Sequence, residues 1–230
     1  MKIRTIILML LPPILALLSN IFVSMFTPSL TLARFIIPSV VLYIVFALMI
    51  YFVCRKWKIG LKELLFRKPK LNDIGVGVLG ALATICLGFF IWFFAFWCVD
   101  FFKLNGFHRY LMIGLDSGTP PNYSLSVMIL IMILLFSLAP AFVEETYFRG
   151  LVIRKLQKIK IPEMKILFIQ AFIFGLWHWH WGLVRGFLLT FIMAIILAKI
   201  YFRQKNMVAP IITHFVNNAV LYSVMILFFS

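Results

Sequence analysis

Long apolar segments, each close to the roughly 20 residues that cross a bilayer, limit what this sequence can fold into. Hydrophobic residues make up 64% of the 230 positions, whereas soluble domains are about 45–50% apolar. Backbone polar groups inside a bilayer must bond within the protein, which favours helices for single crossing segments. We therefore predict an all-α fold, a polytopic transmembrane helix bundle without a large extramembrane domain.

Seven segments are apolar enough to be spans, although the fifth is short. They lie at 5–26, 35–54, 74–98, 125–147, 166–181, 184–202 and 207–229. We predict about seven spans, within a range of six to eight, because the fifth and sixth could form one re-entrant unit. The first segment resembles a signal peptide, but it is long and lacks a clear cleavage site, so it is predicted to be a retained span.

The segments group into two parts of one integral membrane domain. Residues 1–124 hold the N-terminal helices and a basic loop at 55–73, and residues 125–230 form a helical core. The stretch 99–124 could hold a short interfacial helix.

Positive charge is concentrated between the spans. The chain has 22 Lys and Arg residues against 7 Asp and Glu, and most of these cations fall at the N-terminus, in 55–73, in 149–165 and at the end of the sixth span. The exceptions, on the other side, are Arg34, Lys103, Arg109 and Arg185. The positive-inside rule then predicts a cytoplasmic N-terminus and an outside C-terminus. Short basic loops also favour contact with anionic membrane lipid over a nucleic-acid partner.

Ionisable residues interrupt three of the C-terminal apolar segments. They are Glu144, Glu145 and Arg149 in EETYFRG, His178 in FGLWH, and His214, followed by Asn218, in HFVNN. Ionisable groups at membrane depth are destabilising and usually face a bundle interior or a wet cavity. Three such groups on three segments predict one assembled site.

Helical spacing separates the two adjacent glutamates. Glu144 and Glu145 point about 100° apart, so they are expected to face different places. Glu145 and Arg149 are spaced i, i+4 with the glutamate first, which is the better order for an ion pair. Glu144 is then left unpaired by its own helix and can serve as a general base. The alternative for both glutamates is a charge cluster at the end of a helix.

The same helical geometry shows which residues of the histidine motifs can face one site. His214 and Asn218, spaced i, i+4, share one face and can both donate to an oxyanion, although an interhelical hydrogen bond is an equal alternative. His178 and His180 point about 200° apart, so only one can face the site. His178 follows apolar residues and is the candidate. The alternating Trp177, Trp179 and Trp181 are typical of an interfacial belt.

Two kinds of chemistry fit Glu144, His178 and His214. They could hold a divalent metal such as zinc with one open position, or they could polarise a water without metal. The zinc-protease motif HExxH is absent, and the three cysteines lack metal-ligand spacing.

The three motifs resemble those of the CPBP family, which comprises intramembrane CAAX-processing proteases and bacteriocin-processing (Abi) proteins related to the Ras-converting enzyme. The family pattern EExxxR, FxxxH and HxxxN is met by Glu144, Glu145 and Arg149, by Phe174 and His178, and by His214 and Asn218. The resemblance covers about 125–225, and the short N-terminal half favours a member from a prokaryotic cell membrane.

The resemblance implies an intramembrane endopeptidase that opens toward the cytoplasmic half of the membrane. In such enzymes Glu144, helped by His178, activates water. His214 and Asn218 stabilise the oxyanion, and Glu145 and Arg149 hold the architecture. The implied substrate is a peptide or a lipidated protein.

Two other functions compete with this one. A non-catalytic bacteriocin-immunity protein or a modulator of a sensor kinase would have a bacteriocin, a pheromone or the kinase as its partner. A proton-coupled transporter would also use buried Glu and His, but no inverted repeat is visible in the sequence.

Overall fold

The computed structural model describes residues 6, 9–11, 14, 18, 32–60, 70–103 and 127–229. These ranges are helical and contain no strand, which confirms the all-α prediction. Three predicted features lie wholly or mainly outside the described residues: the first span, the middle of the basic loop, and the segment 99–124.

Seven α-helices follow one another in the described part of the chain. They are α1 (Leu32–Trp57), α2 (Leu71–Phe101), α3 (Val127–Glu145), α4 (Arg154–Lys158), α5 (Glu163–Trp177), α6 (Thr190–Gln204) and α7 (Val208–Phe229). Two π-helical segments, Thr146–Ile153 and Leu183–Leu189, run directly into α4 and α6, and a 3-10 turn at Trp179–Trp181 follows α5.

The helical stretches in the described ranges include three that are long and apolar enough to cross a membrane. These are Val40–Trp57, Leu71–Phe101 and Gly186–Gln204, and a shorter apolar helix covers Val208–Val224. The outer faces of α1 and α2 carry large exposed apolar side chains such as Phe52 and Phe93, as expected of surfaces in contact with lipid. The chain is therefore an integral membrane protein, while the total of about seven spans stays a prediction.

Short turns precede α5 and follow α6. Pro162 precedes α5 in an extended conformation, and Glu163 lies in the first turn, where negative charge is favoured by the helix dipole. Lys205 ends α6 in the left-handed conformation with φ of 52°, and Asn206 Oδ1 accepts the N–H of Val208 at 2.9 Å. α5 and α6, bounded by these turns, pack against each other.

The helix that carries EETYFRG runs further than predicted. α3 continues through the π-helical segment Thr146–Ile153 into α4, and every residue of that segment is buried. The helix therefore continues past residue 147, where the predicted span ends, and Arg149, which was counted with a basic segment between spans, is 0% exposed within it. Glu144 lies inside a continuous helical stretch that ends at Lys158, about 21 Å further along at 1.5 Å per residue.

Contacts gather the basic segments at one end of the bundle. Lys155 Nζ lies 5.3 Å from the centre of the Trp57 ring at the end of α1. Arg154 Nε donates to the hydroxyl of Tyr201 in α6 at 3.3 Å. The end of α1, helix α4 and the end of α6 therefore share one end, as the charge distribution requires.

Candidate active site

Three helices bring the ionisable residues of the motifs together. Glu144 and Glu145 end α3, His178 directly follows α5, and His214 lies about two turns into α7. All four side chains are buried. Glu144 Oε2 is 3.7 Å from His178 Nε2 and 4.0 Å from His214 Nε2. The residues singled out in three separate apolar segments thus meet in one place.

Glu145 contacts both its predicted partner and the site. Its Oε1 accepts from Arg149 Nη1 at 2.9 Å and from His214 Nδ1 at 2.8 Å. The predicted i, i+4 ion pair is therefore present. The expectation that the two glutamates face different places was wrong in one respect, because Glu144 and Glu145 approach opposite nitrogens of one imidazole ring. Side chains about 100° apart reach both edges of a ring that lies between them.

Hydrogen bonds at Nδ1 determine which ring nitrogen carries the proton in His178 and in His214. His178 Nδ1 lies 2.9 Å from the carbonyl oxygen of Phe174, which only accepts, so Nδ1 is the donor. His214 Nδ1 donates to the carboxylate of Glu145 in the same way. In the neutral tautomers both Nε2 atoms therefore present lone pairs to Glu144 Oε2, an oxygen without a hydrogen-bond partner among the described residues. A proton, a water or a cation has to separate three such acceptors in a buried site.

Arg149 is held by contacts from two further helices. Its Nη2 donates to the carbonyl of Ala194 in α6 at 3.2 Å, and its guanidinium carbon lies 5.0 Å from the centre of the Phe174 ring. Gln170 donates to the same Ala194 carbonyl at 3.0 Å. Gln170 is not among the predicted site residues, although a glutamine spaced i, i+4 from Phe174 in an apolar helix was a usable signal.

Phe174 explains why the second motif contains an aromatic residue four positions before its histidine. Its ring is fully buried and its centre lies 4.6 Å from that of His178 and 6.0 Å from that of His214. The same ring carries the guanidinium of Arg149, and its backbone carbonyl orients His178. One residue therefore connects both histidines to the buried ion pair.

Replacing Phe174 by leucine is expected to lower the free energy of unfolding by about 1–3 kcal/mol, because a desolvated cation–π contact and the ring packing are lost. Unfolding of the purified protein in detergent measures this change. Phe172→Leu is the matched control, since Phe172 lies two residues earlier in α5 and is 50% exposed. Equal losses of stability in the two variants would contradict this role of Phe174.

Trp177, which was predicted to belong to an interfacial belt, is instead buried beside the site. It is 4% exposed, whereas Trp179 is 53% exposed. The Trp177 ring stacks on Phe46 of α1 with centres 4.9 Å apart, and its side chain hydrogen-bonds to Glu144. α5 ends at Trp177, so the alternating tryptophans do not continue along one helix face.

Asn218 and His180 are the remaining polar residues of the two histidine segments. Asn218 lies one helical turn beyond His214 in the unbroken helix α7 and is half-buried, so the two residues share a face as predicted. The backbone of His180 lies in the turn Trp179–Trp181, beyond the end of α5.

The fit of a metal depends on the three acceptors described above. Glu144 and the two Nε2 atoms form a donor set that suits zinc, and both histidines have Nδ1 held by an acceptor, as metal ligands do. Ligands of a tetrahedral zinc lie about 3.3 Å apart, given bonds of about 2.0–2.1 Å, so these side chains would have to close by a few tenths of an ångström. In the described ranges no group of three or more His, Cys, Asp and Glu already has metal-binding geometry. A water needs no such closure.

Comparison with known proteins agrees with the motifs. Residues 126–220 match the family model described as Type II CAAX prenyl endopeptidase Rce1-like, and this segment contains all three motifs. No curated protein and no solved structure matches the chain significantly. The segment 126–220 therefore resembles the Rce1-like domain of CAAX prenyl endopeptidases, a family of hydrolases that act on peptide bonds.

Proposed function

We propose that this protein hydrolyses a peptide bond in a peptide or lipidated protein, using a water activated by Glu144 and His178. The observation that carries the proposal is the convergence of Glu144 Oε2 with two histidine Nε2 atoms in a buried site. A general base must lie within hydrogen-bond reach, directly or through one water, of the proton that it removes. A water lying between Glu144 and His178 meets this requirement.

The reaction then proceeds by addition and elimination. Glu144 takes a proton from the water as the water oxygen bonds to the substrate carbonyl carbon. His178 accepts a hydrogen bond from the other proton of that water. The carbonyl oxygen becomes an oxyanion. The carbon–nitrogen bond breaks as Glu144 returns the proton to the leaving nitrogen, which gives a carboxylic acid and an amine. The acid then transfers its remaining proton to the amine, which leaves a carboxylate and an ammonium group.

His214 and Asn218 are proposed to stabilise the oxyanion. Asn218 donates from its side-chain amide, and His214 donates from Nε2 when both of its ring nitrogens carry protons. Glu145 supports this arrangement because it accepts from His214 Nδ1 while Arg149 neutralises its charge. Glu145 and Arg149 thereby hold His214 in place without touching the substrate.

Asn218→Ala is expected to lower kcat for peptide cleavage by about 10²–10³-fold, the usual effect of removing one oxyanion donor. The change in KM should be small, because the donor acts mainly on the transition state. Asn217→Ala is the matched control: its neighbouring amide is also half-buried but points about 100° away around α7. Similar kcat values in the two variants would remove Asn218 from the oxyanion site.

Orientation is proposed on the basis of the charged end of the bundle. Lys155, Arg154 and Lys205 lie at the end that also carries the loop after α1. Basic ends of this kind face the cytoplasm, which supports a cytoplasmic N-terminus and a site open to the cytoplasmic half of a prokaryotic cell membrane. Labelling of single cysteines placed near either terminus, from each side of sealed vesicles, tests this orientation.

The activity itself is tested with the purified protein in detergent and a quenched-fluorescent library that includes unmodified and prenylated peptides. We expect cleavage, with the new termini identified by mass spectrometry. Loss of cleavage on chelation, restored by zinc, would assign Glu144, His178 and His214 as ligands, whereas full activity with chelator would support a metal-free water. A folded protein that cleaves no peptide would contradict the proposal and favour the non-catalytic immunity or kinase-modulating role.

A further inference from the structure

Helix α2 lies outside the Rce1-like segment, yet its backbone closely approaches α7. A Cβ atom on Gly77 would lie 2.7 Å from Ile212 Cβ, and one on Gly80 would lie 2.5 Å from Thr213 Oγ1. Side chains at these two positions would push the helices apart, since small residues are what allow membrane helices to pack closely. The contact falls on the two residues that directly precede His214.

Two buried polar contacts join the same helices. Thr213 Oγ1 donates to the carbonyl of Gly77 at 2.8 Å. Near the start of α7, Asn206 Nδ2 donates to Asp73 Oδ1 at 2.8 Å while Asn206 Oδ1 accepts the N–H of Val208 at 2.9 Å. Asp73 and Thr213 are both 0% exposed, and buried polar groups of this kind are stable only when bonded.

The two contacts fix different degrees of freedom of α7. Asp73 fixes the start of the helix along its axis, because Asn206 is bonded both to Asp73 and to the first turn. Thr213 fixes its rotation, because Thr213 faces α2 while His214, about 100° further around, faces the glutamates. A shift of about 1 Å that carries His214 away from Glu145 would lengthen their 2.8 Å bond beyond hydrogen-bond reach, and displacements of this size can lower rates about 10²-fold.

We propose that α2, through Asp73, Gly77, Gly80 and their bonds to α7, is a positioning element for His214. The inference rests on the proposed function for its effect on catalysis, but its structural part does not. These α2 residues, and Thr213, touch neither the substrate nor the reacting atoms. Their role is to hold the His214 imidazole against Glu145.

Thr213→Val and Thr213→Ser form the first test. Valine keeps the shape of threonine and removes the hydroxyl, whereas serine keeps the hydroxyl. We expect the valine variant to lower kcat at least about tenfold with KM unchanged, and the serine variant to stay within about twofold of the parent. A residue with only a structural role would lower the yield of folded protein and leave kcat per folded molecule unchanged, which would overturn the proposal.

A second readout does not depend on activity. The chain has 4 histidines, so protein labelled with ¹⁵N-histidine gives few imidazole signals, and His214→Gln identifies that of His214. The Nδ1–H signal of His214, bonded to a carboxylate, should shift in Thr213→Val and in Gly80→Ala. It should not shift in Thr213→Ser or in Gly88→Ala, a control on α2 whose added Cβ would meet nothing within 4 Å.

The two readouts separate the two proposals. An unchanged His214 signal in both Thr213→Val and Gly80→Ala overturns the positioning role, whatever the activity. A shifted signal in a protein that cleaves no peptide upholds the positioning role and contradicts the proposed function alone.

Discussion

Glutamine in place of Glu144 is expected to lower kcat for peptide cleavage by about 10²–10⁴-fold, because an amide cannot take a proton from the attacking water. The variant should fold normally. The amide oxygen can still accept the hydrogen bond from Trp177, and glutamine has nearly the same size and shape as glutamate. The measurement is kcat on the best library peptide, with unfolding in detergent recorded on the same sample.

The control for Glu144→Gln makes the same chemical change elsewhere. Glu163 is exposed in the first turn of α5, so Glu163→Gln should leave both kcat and stability close to those of the parent. If Glu144→Gln also retained the parent kcat, Glu144 would not be the general base and the proposed mechanism would fail.

Arg149→Met is expected to lower the free energy of unfolding by about 3–5 kcal/mol, the usual effect of removing one partner of a buried ion pair. Methionine fills much of the space, but it leaves Glu145 without its cation and removes the hydrogen bond from Arg149 to the Ala194 carbonyl. Lysine should not restore the parent stability, because its single ammonium cannot reproduce the planar contacts of the guanidinium with Glu145 and the Phe174 ring.

Unfolding of Arg149→Met in detergent is compared with that of Arg203→Met. Arg203 is exposed near the end of α6, so its replacement should change stability by less than about 0.5 kcal/mol. If Arg149→Met were as stable as this control, the Glu145–Arg149 pair would not hold the architecture of the site.

Spacing within a single helix was enough to predict part of the site. The i, i+4 relations identified the ion pair of Glu145 with Arg149 and the shared face of His214 and Asn218, because both depend only on the geometry of one helix. The choice of His178 over His180 was also local, since it followed from the apolar residues that precede His178. These relations hold wherever the helices are placed.

Features that depend on packing between helices could not be predicted from spacing. The sequence does not show that Ala194 offers its carbonyl to Arg149 and Gln170, because that contact joins three helices. The burial of Trp177 depends on where α5 ends. The buried π-helical segment after Glu145, which extends the helix past residue 147, also depends on packing, because all of its residues contact the bundle interior.

The central claim is that Glu144 and His178 act on one water as a unit, and a double-mutant cycle tests it most directly. Single-turnover cleavage of the best library peptide is measured for the parent, Glu144→Gln, His178→Gln and the double variant. Residues that act together are strongly non-additive, so the double variant should be about as slow as the slower single variant. A double variant in which the two losses multiply would show that the residues act independently and would contradict the claim.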